Sequence, residues 1–199
     1  MKKILSIFLL TTLFLTFGIF KMDAVDNKKL SNPSNEYKYE ITVTQKGEEL
    51  GKIKIELFPD KAPKHVRNFD SLVSIKFYDG TAFHRIIPNF MIQGGDPNSK
   101  DKPRETWGFG DPSQAKVPAE FNDTKHVRGI VSMARSNDPN SASSQFFIMH
   151  GNAPHLDGQY SAFGKVISGM EVVDKIANLP RDKRDNPLDK VEMKIVKIK

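Results

Sequence analysis

Short runs in which apolar and polar residues alternate recur along most of this 199-residue chain. Clear examples are YEITVT at 39–44 and KIKIELF at 52–58, with a polar turn at 46–49 between them. Because successive side chains of a strand point to opposite faces of a sheet, each run predicts a strand with one buried face. Six further runs predict strands, and they lie at 82–87, 90–94, 129–134, 144–149, 162–166 and 191–198.

Only two segments show the periodicity of a helix. The first follows Asp60, has Pro63 in its first turn, and places a set of apolar residues on one face, namely Val66, Phe69, Leu72 and Val73. The second covers 169–178 and ends before Pro180. Eight short strands with two helices do not fit the strand–helix alternation of a parallel sheet. The pattern predicts a mainly β fold, either an antiparallel barrel or a sandwich, with two helices over its open ends.

The N-terminus has the features of an export signal. Lys2 and Lys3 precede a mainly apolar run at 4–20. This order predicts a signal peptide within residues 1–24, with cleavage after Gly18 favoured over cleavage near Ala24. A run of this length also reaches the short limit of a membrane span, so an uncleaved inner-membrane anchor stays open. In either case the lysines favour a cytoplasmic N-terminus, and we expect the rest of the chain in the periplasm or another extracytoplasmic space.

Composition and charge exclude several classes of protein for the rest of the chain. Residues 25–36 are polar and predict a linker, which leaves 37–199 as one domain. The chain has no cysteine, so an exported domain must be stable through its core alone. The net charge is +6, but basic residues alternate with acids, which indicates a solvated surface and no nucleic-acid site. The five histidines lack the spacing of a metal site, and we expect no metal, no cofactor and a monomer.

The alternation of side chains between the two faces of a strand predicts an outer surface that carries both apolar and polar residues. An arginine and two glutamines are poor fillers of a small barrel, so we expect them outside. The residues expected inside are His84, Ile86, Phe146 and Ile148. Those expected to line an outer groove are Arg85, Met91, Gln93, Gln145 and Phe147. An outer face that combines apolar side chains with fixed polar groups usually binds a ligand.

Four stretches of the chain carry a family resemblance. They are FHRIIPNFMIQGGD at 83–96, GIVSMA at 129–134, SSQFFI at 143–148 and LDGQYSAFGKV at 156–166. In this order they resemble the cyclophilin family of peptidyl-prolyl cis-trans isomerases, and the similarity spans essentially all of 37–199. The resemblance implies a closed eight-stranded antiparallel β-barrel capped by two α-helices. It also implies a rotamase that accelerates rotation about X-Pro bonds, assists protein folding and takes proline-containing polypeptides as substrates.

The resemblance implies roles for single residues as well. Arg85 stands at the position of the catalytic arginine. The pocket for the proline ring is implied to consist of Phe90, Met91, Phe147 and Leu156. Gln93 and Gln145 are implied to bind the substrate backbone or to orient the arginine. Ala134 and Arg135 are implied to contribute backbone contacts to the peptide.

Three features depart from the family pattern. His155 stands where many members have tryptophan, so we expect weak or no binding of cyclosporin. Tyr160 stands where many have histidine, and it keeps a ring with a hydrogen-bonding tip. The segment 100–110 (KDKPRETWGFG) lacks the glycine-rich character common in the family, and Trp107 is interpreted as an anchor of that loop.

The residue types suit isomerisation. Rotating a peptide bond breaks no covalent bond, so the motif needs no nucleophile, and a fixed cation can bind the prolyl nitrogen while its amide is twisted. An exported peptide-binding chaperone module with little turnover remains the alternative. A serine hydrolase is not expected, because Ser143 and Ser144 lie outside any G-x-S-x-G elbow.

Overall fold

The computed structural model describes residues 37–199. The expected signal or anchor at 1–24 and the linker at 25–36 lie outside the described residues. Within 37–199 no helix is long and apolar enough to cross a membrane. In chain order the elements are β1 (Lys38–Gln45), β2 (Glu48–Leu57), α1 (Pro63–Ser74), β3 (Phe83–Ile87), β4 (Met91–Gly94), β5 (Ile130–Met133), β6 (Phe146–Met149), β7 (Ala162–Ser168), α2 (Met170–Ala177) and β8 (Val191–Ile198).

The eight strands form one antiparallel sheet in the order β3-β4-β6-β5-β7-β2-β1-β8. The two edges of this sheet, β3 and β8, come together at the residues just before β3. There the Gly80 N–H donates to the Met193 carbonyl at 3.0 Å, and the Met193 N–H donates to the Thr81 carbonyl at 2.8 Å. The sheet is therefore a nearly closed barrel. This confirms the mainly β prediction and decides between barrel and sandwich in favour of the barrel.

The helices cover the barrel through apolar faces. Phe69 of α1 lies among aromatic rings of the strands, with centroid distances of 5.2 Å to Tyr39 and 5.6 Å to both Phe146 and Phe163. On α2 the buried residues include Val173 and Ile176. Because aromatic rings bury large areas and favour such edge-on or tilted arrangements, this cluster ties α1 to the strands.

The first hairpin differs from its prediction. Its turn consists only of Lys46 and Gly47, both in the left-handed region with φ of 52° and 83°. A two-residue turn of this kind matches the twist of paired strands. As a result β2 begins at Glu48, four residues before the predicted strand. The two glutamates that looked like turn residues are exposed strand residues.

A bulge in β3 changes the surroundings of His84. Phe83 pairs with Gly94 and Arg85 pairs with Gln93, which leaves His84 as the extra residue. His84 is buried, but it lies beneath the loop at Gly108, where its imidazole would be 3.5 Å from a Cβ added to that glycine. The expectation that His84 fills the barrel interior is therefore wrong. Strict alternation does not reveal a bulge, and Phe83 joins the core instead.

Candidate active site

The barrel carries a second apolar cluster on its outer side. Met91, Phe147 and Leu156 belong to this outer cluster and are 1%, 5% and 7% exposed. Their strand neighbours Ile92 and Ile148 belong to the barrel core. The predicted division between the two faces of β4 and β6 is therefore confirmed. Ligand sites are lined mainly by apolar and aromatic side chains, so this cluster outside the barrel core is a candidate binding surface.

A small cavity of about 100 Å³ opens at the edge of this cluster. Its lining consists of Arg85, Phe90, Met91, Gln93, Ala134, Arg135, Phe147, Leu156 and Tyr160. All nine were predicted site residues. The other two predicted residues lie beside it: Gln145 is hydrogen-bonded to Gln93, and the His155 ring stacks on Phe90 with centroids 5.9 Å apart.

Arg85 stands between the apolar cavity and the polar side of the groove. Its place in β3 opposite Gln93 directs it outward, as predicted. The side chain is partly buried. Within residues 37–199 its guanidinium makes no hydrogen bond or ion pair. A cation with unused donors thus borders a cavity that has both apolar and polar side chains in its lining. Because this arginine is partly buried, its electrostatic interactions are less screened than in water.

The two glutamines form a fixed chain. Gln93 Nε2 donates to Gln145 Oε1 at 2.9 Å, and Gln145 Nε2 donates to the Gly108 carbonyl at 3.1 Å. The Ala134 N–H donates to the Gln145 carbonyl at 3.0 Å, which leaves the Ala134 carbonyl for other partners. Because the Gln145 amide is held at both ends and the Gln93 amide is held through its Nε2, the groove presents polar groups of defined orientation.

The opposite wall is held by Arg135 and Tyr160. The Arg135 guanidinium lies over the Tyr160 ring at 4.5 Å and donates to the Gln159 carbonyl at 3.0 Å. The Tyr160 ring in turn meets Phe147 edge-on, with centroids 5.7 Å apart. The Tyr160 ring therefore packs between Arg135 and Phe147, and it forms an aromatic wall on this side of the cavity.

Three residues behind Phe147 were not predicted. The His126 ring stacks on Phe147 at 6.2 Å, with Nε2 3.0 Å from Ser132 Oγ and Nδ1 3.2 Å from Asp157 Oδ1. Burial lowers the pKa of His126, against the raising effect of Asp157, so the ring is neutral at neutral pH. The set has the composition of a hydrolytic triad, but Ser132 is fully buried and cannot reach a substrate. The His126 ring, held by Ser132 and Asp157, instead stacks on Phe147 and fixes the position of that ring.

The loop that departs from the family pattern is tightly built. Asp96 accepts from the N–H groups of Gly108 and Gly110, and Asn98 Nδ2 donates to the Gly110 carbonyl at 2.8 Å. Trp107 Nε1 donates to the Lys102 carbonyl at 3.0 Å, which confirms its interpretation as a loop anchor. This scaffold positions the Gly108 carbonyl that holds Gln145.

Residues 40–198 match the family model described as cyclophilin type peptidyl-prolyl cis-trans isomerase/CLD. The chain belongs to the cyclophilin family. A probable peptidyl-prolyl cis-trans isomerase of Brucella suis is 45% identical over 164 residues, which cover 80% of each chain. Peptidyl-prolyl cis-trans isomerase-like 3 of Gallus gallus is 45% identical over 154 residues, covering 75% of this chain and 91% of the relative.

Solved cyclophilin structures share the architecture. The crystal structure of a Cryptosporidium parvum cyclophilin-type isomerase in the presence of the dipeptide Ala-Pro superimposes with a TM-score of 0.72. The two chains are 34% identical, and the match covers 81% of this chain and 99% of the other. The eight-stranded barrel is therefore the cyclophilin fold, and this cyclophilin is a peptidyl-prolyl cis-trans isomerase that acts on proline-containing peptides.

Proposed function

We propose that this cyclophilin isomerises X-Pro bonds in exported polypeptides by a non-covalent mechanism that depends on Arg85. The observation that carries the proposal is the Arg85 guanidinium at the edge of the small cavity, without a hydrogen-bond or ion-pair partner among residues 37–199. The cavity would hold the proline ring against Met91 and Phe147. The glutamine pair and the Ala134 carbonyl would hold the substrate backbone on the polar side.

The physical basis is the change in the prolyl nitrogen during rotation. The barrier of about 18–20 kcal/mol is the lost resonance of the amide. In the twisted amide the nitrogen regains its lone pair and accepts a hydrogen bond, which it cannot do while planar. A donor aimed at that nitrogen therefore binds the transition state more strongly than either ground state, as catalysis requires. Arginine suits this role because it remains charged and its donors form a rigid fork.

Magnitudes show that the arginine cannot act alone. A barrier near 20 kcal/mol corresponds to roughly 0.01 turnovers per second, and about 1,000 per second needs roughly 7 kcal/mol of stabilisation. One charge-assisted hydrogen bond supplies about 1.5–3 kcal/mol. The rest is assigned to the cavity, which anchors the ring and excludes the water that stabilises the planar amide, and to backbone contacts that hold one side of the bond.

The cellular site of this activity is also a proposal. Lys2, Lys3 and the apolar run at 4–20 support export, and clients would then be secreted or envelope proteins that contain proline. An intact Met1 in the membrane fraction would identify the uncleaved anchor, whereas a new N-terminus after Gly18 would identify a cleaved signal.

The test is isomerisation of a proline peptide by residues 37–199 and by the variant Arg85→Ala. We expect kcat/KM to fall at least about 100-fold, which corresponds to about 2.7 kcal/mol of lost transition-state stabilisation. Circular dichroism should show an unchanged fold. The matched control is Arg67→Ala, because Arg67 is an exposed arginine on α1. Wild-type binding without rate enhancement would support the peptide-binding module instead, and full activity of Arg85→Ala would exclude the proposed role.

A further inference from the structure

A second cavity, of about 360 Å³, adjoins Arg85 on the side away from the outer cluster. We call it the arginine cavity. Residues that characterise its lining are Arg85, Arg135, Arg184, His84, Trp107 and Phe109. The β3 bulge, the anchored loop and the segment before β8 meet here. The cavity shares Arg85, Gln93 and Arg135 with the smaller cavity, so the two are adjoining parts of one groove.

The arginines of this cavity are positioned without being neutralised. Arg184 donates to the Glu105 carbonyl at 3.1 Å, and Arg135 donates to the Gln159 carbonyl at 3.0 Å. Across the described part of the chain neither forms an ion pair with a carboxylate, and Arg85 has no partner at all. Neutral carbonyls fix the direction of a guanidinium but leave its charge in place. Three cations therefore face one opening.

Nearby carboxylates are committed elsewhere. Asp96 accepts backbone N–H groups of the anchored loop, including that of Gly108. Asp182 accepts two backbone N–H groups of its own loop. Asp185 pairs with Arg181 at 3.2 Å. No carboxylate lines the opening among residues 37–199, so the charged side chains that line it are arginines.

His84 supplies an independent indication of a ligand. It is 2% exposed and lines the cavity. The Ala82 backbone and the Gln145 side chain lie near its ring, but within residues 37–199 neither ring nitrogen forms a hydrogen bond of normal geometry. Buried polar groups are nearly always satisfied, so a ring nitrogen without a normal hydrogen bond next to a cavity is available to a ligand or to water that enters it. An oxygen-rich anionic group would accept from the imidazole and from the arginines together. Phe109, which is 80% exposed at the rim, offers an apolar surface to the stem of that group.

We propose that the arginine cavity binds an acidic side chain of the substrate, close in sequence to the proline. This inference rests on the proposed function and names a substrate class for the same groove: proline segments that carry glutamate or aspartate. A carboxylate that enters the cavity meets Arg184 while the proline ring occupies the smaller cavity beside Arg85. Acidic clients are then bound in preference to their neutral counterparts.

The first experiment measures kcat/KM for peptides in which glutamate is placed in turn at each position near the proline, each against the same peptide with glutamine. We expect about a three- to fivefold preference for glutamate at one position, the range of a partly exposed ion pair. The effect should lie mainly in KM and should decrease as salt is raised, because screening weakens such pairs. Equal rates for the glutamate and glutamine peptides at every position would overturn the proposal while leaving isomerisation itself intact.

The second experiment assigns the effect to the cavity. In Arg184→Gln the ratio of glutamate to glutamine rates should fall to about one, and Arg184→Lys should retain part of the preference because it keeps the charge. Arg181→Gln is the matched control: it removes an arginine of the same loop that is paired with Asp185 and does not line the cavity, so its ratio should equal that of wild type. A preference that persists in Arg184→Gln would contradict the assignment.

Discussion

The guanidinium of Arg85 is the group on which the proposed chemistry depends, and its lack of a partner in the described part of the chain is as informative as its position. A carboxylate partner would offset its charge and compete with a twisted amide for its donors. The neighbouring amides instead satisfy each other, since Gln93 donates to Gln145. The arginine therefore keeps its donors for the substrate, in surroundings that screen charge less than water does.

Sequence reasoning works well for such residues when a motif is long. All nine residues that line the small cavity were predicted, because the motifs at 83–96 and 156–166 carry most of them. It failed for His84, whose parity is reversed by a bulge. It also missed Arg184 and Phe109, which lie on loops far apart in the sequence and have no local pattern that would bring them together.

His155 is the residue at which drug binding is expected to differ. It is exposed, and its ring stacks on Phe90 at the rim of the small cavity. The substitution His155→Trp enlarges this ring and adds an indole N–H donor, so we expect cyclosporin to bind about tenfold more tightly. Inhibition of isomerase activity by cyclosporin gives the measurement. His155→Phe serves as the control for ring size without the donor, and an unchanged affinity in His155→Trp would show that this position does not limit binding.

At the scale of elements, the strands were predictable and the connections were not. Alternation located all eight strands, yet it could not place the start of β2, because the glutamates after the turn at 46–47 have the polarity of a loop. The region between β4 and β5 has no periodicity. Its fold depends on buried polar contacts such as those of Asp96, and these become visible only when side-chain partners are known.

Helix α1 shows how such a connection stabilises an element. Its N-cap residue, Ala62, makes no capping hydrogen bond, and the first turn has no acidic residue. Glu120 from the loop before β5 takes that role: its carboxylate accepts from the N–H groups of Lys64 and His65 at 3.0 Å and lies 2.8 Å from His65 Nδ1. A carboxylate at this end also complements the helix dipole.

We therefore expect Glu120→Gln to lower the free energy of unfolding by about 1–3 kcal/mol. Burial acts to raise the pKa of Glu120, but the hydrogen bonds from His65 and Lys64 prevail and lower it. A carboxyl with a lowered pKa stabilises the fold above its ordinary pKa, and this contribution is lost as pH falls through the folded value. Urea unfolding at neutral pH provides the measurement. Glu48→Gln, at the exposed start of β2, is the matched control, and equal stability of Glu120→Gln and wild type would contradict the capping role.

The whole molecule combines a barrel core with an outer cluster, and the groove lies where the outer cluster meets the loops. Barrel closure fixes β3, β4 and β6 relative to each other, so the site is built on rigid strands at one side. On the other side the anchored loop and the segment before β8 supply the arginine cavity. The sequence predicted the rigid half through its motifs. The loop half depends on contacts between distant segments, which local patterns do not encode.

Buried histidines give the molecule as a whole a predictable response to acid. Burial lowers the pKa values of His65, His84 and His126, and for His84 it does so to about 4, despite the opposing effect of Asp96. At pH values between the folded pKa of His84, about 4, and the ordinary histidine pKa of 6.5, the unfolded chain binds more protons than the folded one. Unfolding therefore becomes easier as pH falls below 6.5, and full stability is present only above that value.

For His84 alone the loss approaches about 1.4 kcal/mol per pH unit in this window. Urea unfolding of residues 37–199 at a series of pH values from 8 to 5 measures the slope, and His84→Gln should reduce it whatever its effect on absolute stability. An unchanged slope in His84→Gln would mean that folding does not lower the pKa of His84, which would contradict this prediction.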